Sequence, residues 1–220
     1  MLFKIPQALS PKALQTTRKI LDQAEFMDGK LTAGWHAKLV KQNQQLAQSF
    51  PKANQLRQTV SQSLNDHPLF QAAVRPKHIH HLLFSRYEIG MAYGRHVDNA
   101  LMDQGLRADV SFTVFLNDPG EYDGGELVIE GADDERSYKL AAGDAIVYPS
   151  TTLHRVEAVT AGTRLVAVGW VQSFVRDAQC REILFDLEVS RRGLFAREGK
   201  TTEFDLLSKS IANLLRMWAE

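Results

Sequence analysis

With one cysteine, Cys180, among its 220 residues, the chain has no intrachain disulfide framework and no metal site built on several thiolates, so iron-sulfur and zinc-finger readings fall away. Charge of one sign is equally lacking. The 26 Lys+Arg balance the 26 Asp+Glu, which offers no general attraction to nucleic acid or to anionic lipid. No apolar run approaches the ~20 residues that a membrane span needs, and Met1-Leu2-Phe3-Lys4-Ile5-Pro6 is followed by polar residues rather than an apolar signal region. Internal repeats and low-complexity segments are missing as well. These absences predict a cytoplasmic protein of a reducing compartment with no nucleic-acid or membrane partner. What remains is 44% hydrophobic and 24% charged, the balance of an ordinary globular chain long enough for one sizeable core.

Ser10-Pro11 reads as an N-cap followed by proline at the first helical position, after which Leu14, Ile20, Leu21 and Ala24 recur at helical intervals. A second helix-compatible stretch runs from about Lys41 to Leu64, with Leu46, Leu56, Val60 and Leu64 as its stripe and Pro51 interrupting it. From His78 the pattern changes to short runs rich in β-branched and aromatic residues, at 78–86, 109–116, 126–130, 145–148 and 164–172. Between them lie Asn117-Asp118-Pro119-Gly120, Asp123-Gly124-Gly125, Ala142-Gly143-Asp144 and Thr160-Ala161-Gly162, all turn chemistry. Short strands with no helix between them predict an antiparallel sandwich or barrel such as a jelly roll. From Arg176 the helical period returns, in Ile183, Leu184 and Leu187 and then in Leu206, Leu207, Ile211, Leu214, Leu215 and Trp218, with Gly193 and Gly199 in the link. The expected protein is mainly β with flanking α. It has an N-terminal helical segment over 1–77, a β domain over 78–175 and a C-terminal helical segment over 176–220. The last segment's apolar stripe packs on the barrel or forms a homodimer interface.

His96-Val97-Asp98 places an imidazole and a carboxylate two positions apart, and on an extended segment that spacing points both to one face. His154, at the start of a late strand, is the candidate third ligand. Two histidines and one carboxylate on one face of a metal leave open positions, the arrangement of non-haem Fe(II) oxygenases. An isolated His-x-Asp triplet is weak, because a strand with a polar face produces it by chance. Arg164 sharpens the case: a keto acid chelating iron through its 2-oxo end leaves a distal carboxylate that a bidentate guanidinium can hold. The run after it, Leu165-Val166-Ala167-Val168-Gly169-Trp170, reads as a buried strand, where an inward arginine needs an anion. If Thr160-Ala161-Gly162 is a three-residue hairpin loop with Gly162 left-handed, His154 and Arg164 lie on adjacent strands and face the same side.

These residues carry a family resemblance. The ordered series runs His96-x-Asp98, Phe115-Leu116-Asn117, Asp123-Gly124-Gly125-Glu126-Leu127, Ala142-Gly143-Asp144-Ala145, Pro149, His154 and Val159-Thr160-Ala161-Gly162-Thr163-Arg164. It resembles the prolyl and lysyl hydroxylase branch of the 2-oxoglutarate oxygenases, and more narrowly the bacterial PKHD-type hydroxylases, some of which are associated with iron uptake. The match covers about 78–173, and Ala158 departs from it where related sequences often have proline. The resemblance implies a double-stranded β-helix core, Fe(II), 2-oxoglutarate and O2 as reactants, succinate and CO2 as products, and ascorbate as a reductant. It leaves the primary substrate open between peptidyl side chains and small molecules.

Other residues have two readings each. Tyr87 and Tyr93 could donate to the co-substrate carboxylate or line the pocket, or be ordinary core-edge tyrosines. Trp170 could wall the site or pack the core. Arg107, Asp109 and Ser111 could meet substrate or form a solvated strand face. His78, His80 and His81 lack a carboxylate at matching spacing and read as a surface or partly buried group. The competing function is a cupin-like metal-binding module without oxygenase activity. Gly143, Pro149 and His154 suit its second motif, but His96-x-Asp98 does not match the His-x-His pair its metal site usually wants.

Overall fold

The computed structural model describes residues 2–102 and 105–220. Along the chain run β1 (Phe3–Ile5), α1 (Pro11–Leu21), β2 (Phe26–Asp28), β3 (Lys41–Gln42), β4 (Gln44–Leu46), α2 (Ala53–Asp66) and α3 (Pro68–Val74). The β region then gives β5 (Pro76–Tyr87), β6 (Ala92–His96), β7 (Leu101–Met102), β8 (Leu106–Arg107), β9 (Val110–Phe115), β10 (Tyr122–Gly124), β11 (Leu127–Glu130), β12 (Glu135–Tyr138), β13 (Ala145–Pro149), β14 (His154–Val156), β15 (Val159–Gly162) and β16 (Arg164–Ser173). Two helices close the chain, α4 (Ala178–Glu198) and α5 (Thr202–Trp218).

A seven-stranded sheet of order β1-β13-β9-β16-β5-β4-β2 faces a five-stranded sheet of order β12-β11-β14-β6-β3. All their pairings are antiparallel. This is the expected jelly roll with flanking helices. The period-two alternation of β9, Val-Ser-Phe-Thr-Val-Phe, explains how one strand serves two cores, since all six residues are buried. Val110, Phe112 and Val114 point outward into a cluster with Leu56, Val60 and Leu64 of α2 and Phe70 of α3. Phe115 points the other way, into a cluster with Leu127, Ile129, Ile146 and Val166 between the sheets. Truncating a buried phenylalanine such as Phe112 to alanine costs about 3–5 kcal/mol, so the outer helices anchor the sheet that carries the site.

Local chemistry sets the helix ends, as expected at Ser10-Pro11 and also at Asp177, which sequence reasoning did not single out. Ser10 Oγ accepts from the Ala13 amide (3.3 Å) with Pro11 in the first turn, and Asp177 accepts from the Cys180 amide (2.8 Å) at the start of α4. Two expectations need correction. The stretch from Lys41 is not helical until Ala53: Lys41–Gln42 and Gln44–Leu46 are strands, and α2 begins after Pro51. Gly193 lies inside α4 rather than in the link, which is 199–201 and opens with Gly199 at φ 73°.

The C-terminal helices are tied back to the β core. Val175 bridges to Ala219, Arg181 Nη1 donates to the Val175 carbonyl (2.8 Å), and Lys77 Nζ donates to the Glu220 carbonyl (2.7 Å). Among the described residues no helix is long and apolar enough to cross a membrane.

Candidate active site

The central strands bring His96 and His154 together as register partners of β6 and β14, and their ring centroids are 4.2 Å apart. Val97 is 41% exposed whereas the Asp98 side chain is 7% exposed, so Asp98 returns to the side of His96, as the spacing of two predicts. One ligand atom from each of His96, Asp98 and His154 lies within 4.8 Å of the others. No other group of three or more His, Cys, Asp or Glu residues meets so closely among the described residues.

Each histidine is held by a carbonyl two residues back in the chain. His96 Nδ1 donates to the Gly94 carbonyl (2.8 Å) and His154 Nδ1 to the Thr152 carbonyl (3.0 Å). A carbonyl only accepts, so the proton sits on Nδ1 and Nε2 is left bare to bind a metal. Burial, and then the neighbouring His154, push the His96 imidazole down to about 4, which keeps it neutral at pH 7. Asp98 Oδ2 accepts from Ser111 Oγ (2.6 Å), which in turn meets Ser150 Oγ (2.7 Å), fixing the carboxylate's direction. Tyr93 stacks on His96 with centroids 3.7 Å apart, and Tyr148 sets its ring against His154 at 5.1 Å.

Arg164 begins β16 directly opposite Tyr87 of β5 and is 1% exposed. Its guanidinium carbon lies 4.9 Å from the Tyr87 ring centroid and 5.7 Å from that of Phe115. Nε and Nη1 are buried with no hydrogen-bond partner, and no carboxylate pairs with the group among the described residues. A buried cation so placed is completed by an anion from outside the chain. Gly125, at φ 66°, leaves the room: a Cβ there would come within 3.0 Å of Arg164 Cδ.

His154 and Arg164 do not lie on adjacent strands as the turn between them suggested. Gly162 is left-handed as expected (φ 71°), but 159–162 forms β15, which pairs with β10. β14 belongs to one sheet and β16 to the other, so the two side chains reach one cavity of about 370 Å³ from opposite walls. Tyr87, Tyr93 and Trp170 line it too. Burial raises both tyrosine hydroxyls, so they stay protonated and able to donate.

Of the alternating set, Ser111 alone reaches the site. Arg107 and Asp109 pair with each other (3.2 Å) and with Ser173 and Glu220, tying the C-terminus to the sheet. His78 is exposed and His80 meets the Arg107 carbonyl (2.9 Å). His81 is brought to the cavity by a bulge in β5, where His81 and Leu82 together oppose Gly169. Sequence reasoning missed Lys41, Asn43, Tyr148 and Ser150. The polar residues 41–45 carry no apolar alternation to betray a strand, and Tyr148 looked like a core residue of an apolar run.

The sequence profile described as the 2OG-Fe(II) oxygenase superfamily matches residues 82–172. A PKHD-type hydroxylase of Picosynechococcus sp. strain PCC 7002 is 70% identical over 100% of both chains, and one of Gloeothece citriformis is 65% identical, again over 100% of both. Among solved structures, a prolyl hydroxylase from Trichoplax adhaerens in complex with a hypoxia inducible factor fragment aligns with TM-score 0.59 and 13% identity, covering 77% of this chain and 83% of that one. A Pseudomonas putida prolyl-4-hydroxylase aligns with TM-score 0.51 and 20% identity, covering 78% and 92%. At such identities these two show a shared fold.

Proposed function

Because the chain belongs to the PKHD-type hydroxylases of the 2OG-Fe(II) oxygenase superfamily, we propose that His96, Asp98 and His154 hold its iron and that Arg164 holds the distal carboxylate of 2-oxoglutarate. The protein is an Fe(II)- and 2-oxoglutarate-dependent dioxygenase, coupling oxidative decarboxylation of 2-oxoglutarate to succinate and CO2 with hydroxylation of a substrate. The observation that carries the residue assignment is the pairing, in one cavity, of a bare-Nε2 donor set with a buried guanidinium that has no anion.

Iron in this site supplies the activation of O2 coupled to loss of CO2. The chain supplies placement. Asp98 contributes one negative charge, oriented by Ser111, and two imidazoles contribute none. Arg164 fixes one end of the keto acid so that the other end faces the donor set, and Tyr87 beside it offers a hydroxyl to the same carboxylate. Tyr93 and Tyr148 pack against the histidine rings and keep water from them. A cupin-like protein without oxygenase activity would have no use for a buried, unpaired Arg164.

The remaining assignments belong to the same reading. The dioxygenase unit is 78–175, completed by strands from 1–77 and buttressed by 176–220. Ascorbate keeps the iron reduced between turnovers, and the substrate is a small molecule or a peptidyl side chain. The protein works in the cytoplasm without nucleic acid or membrane, and Leu206 (54% exposed) and Met217 (73%) on α5 offer a homodimer contact. Purified protein given Fe(II), 2-oxoglutarate and O2 should form succinate and CO2 in equal amounts, with ascorbate prolonging turnover. Binding of iron without any such turnover, over a broad panel of candidate substrates, would overturn the reading.

A further inference from the structure

The segment from Lys41 to Gln45 crosses between the sheets, since β3 pairs with β6 and β4 with β5. Alternate residues face inward: Lys41, Asn43 and Gln45 are 5%, 4% and 5% exposed, and all three line the cavity. Successive inward positions of a strand are the places where apolar residues are expected, so three polar side chains there mark a surface meant for a polar guest. Gln45 is satisfied by the Thr32 hydroxyl, which also accepts from Lys41 Nζ (3.1 Å). Neither the side-chain nitrogen nor the oxygen of Asn43 makes a hydrogen bond of good geometry, although the Tyr87 hydroxyl lies near enough to act on it.

Lys41 is the more telling. Its ammonium lies 5.3 Å from the Tyr93 ring centroid, and no carboxylate forms an ion pair with it among the described residues. The two acidic groups that act on it are Asp28, exposed and engaged with the Lys30 amide (2.9 Å), and Asp98, engaged with Ser111. Burial lowers the amine to about 8, so it is mostly charged at pH 7. A neutral hydroxyl and an aromatic face do not offset the desolvation of an ammonium.

Charge counting in the loaded cavity points the same way. A divalent iron and Arg164 bring three positive charges, and Asp98 with the 2-oxoglutarate dianion brings three negative ones. Lys41 is left without a counter-charge. Resting on the iron and 2-oxoglutarate reading above, we infer that Lys41, assisted by the Asn43 carboxamide, binds a carboxylate of the primary substrate. One ammonium and one neutral donor match a monoanion; a phosphate dianion would leave a buried negative charge in excess. The site thereby selects substrates that carry a free carboxylate near the carbon to be hydroxylated.

The test is calorimetry on the protein loaded anaerobically with Fe(II) and saturating 2-oxoglutarate, titrated with matched pairs: hexanoate against hexanamide and benzoate against benzamide. Each carboxylate should bind at least tenfold tighter than its amide. Lys41→Met should erase that preference, Lys41→Arg should keep most of it, and Asn43→Ala should weaken it several-fold. Because Lys41→Met replaces a buried unpaired charge with an apolar chain, it should melt no lower than wild type. The wild-type carboxylate and amide comparison stands even if a variant misfolds. Uptake of neither iron nor 2-oxoglutarate by wild type would sink the functional reading and this one with it. If both bind, but carboxylates bind no tighter than amides or Lys41→Met keeps the preference, the carboxylate subsite alone is overturned.

Discussion

His96 and His154 are cross-strand partners whose rings sit 4.2 Å apart, each with Nδ1 turned to the carbonyl two residues earlier in its own chain segment. The two imidazoles are thereby fixed by the same local device on neighbouring strands, and both offer Nε2 to the space that Asp98 enters. The imidazoles stand at strand ends, His96 closing β6 and His154 opening β14, while Asp98 lies two residues beyond β6 and is held by Ser111 of β9.

The first prediction follows directly. His96→Ala, Asp98→Ala and His154→Ala should each fold and remain soluble, yet bind Fe(II) at least ~10–100-fold more weakly, since even outer partners of metal ligands typically cost that much. Succinate formation should fall to background in all three. Iron titration of the anaerobic proteins decides it, and wild-type affinity in any variant removes that residue from the site.

A second prediction concerns acid and the metal-free protein. His96 is pushed from an ordinary 6.5 to about 4 by burial and then by His154. Below 6.5 the unfolded chain takes up a proton that the folded chain refuses until about 4. The stability this residue contributes is therefore complete above 6.5 and drains away as the pH falls toward 4. Each pH unit of that gap is about 1.4 kcal/mol, so the loss is roughly 3 kcal/mol. Denaturant titrations of chelated protein at pH 7, 5.5 and 4 should show it, and His96→Gln should flatten the profile.

How much of this was legible in the sequence depends on where each residue lies. Phe112, Val114 and Val166 announced their strands because alternation of apolar and β-branched residues needs no tertiary context to read. His96 and Asp98 were legible because a spacing of two on an extended segment fixes a face, and His154 because it opens a late strand. Lys41, Asn43 and Gln45 were not: their inward positions carry polar side chains, so the usual inside-outside signal is inverted and a helix was the natural reading. The partnership of His154 and Arg164 was found through a wrong topology. Gly162 is left-handed as read, but 160–162 is strand rather than loop, and local turn chemistry does not reveal that β15 leaves to pair with β10.

The third prediction addresses the C-terminal helices. Phe185 of α4 packs its ring against Phe3 of β1 (4.6 Å), and Leu184 and Ile211 are buried in a cluster with Val175. Removing everything after Ser173 uncovers the apolar surface of β1 and α3 that α4 shields. The shortened protein should aggregate or change its oligomeric state, as measured by light scattering coupled to size exclusion. A well-behaved truncation with unchanged assembly contradicts this.

The fourth prediction separates a keto-acid oxygenase from any other jelly-roll metal protein. Arg164→Met keeps most of the bulk between Tyr87 and Phe115 and removes a guanidinium whose Nε and Nη1 have no partner. Without ligand, a buried unpaired cation is a liability, so the variant should be at least as stable as wild type to denaturant. Iron affinity should be unchanged, because the donors come from β6, the segment just after it and β14, while Arg164 lies on β16. The distal carboxylate of 2-oxoglutarate would then be desolvated without a counter-charge, a loss of ~3–5 kcal/mol, or more than two orders of magnitude in affinity. Arg164→Lys should recover only part of it, since an ammonium cannot form the two parallel bonds of the fork. The combination sought is normal iron binding, undiminished stability and weak 2-oxoglutarate binding in one protein. Wild-type affinity for both iron and 2-oxoglutarate in Arg164→Met would make Arg164 a structural residue and leave the co-substrate's distal carboxylate without its holder.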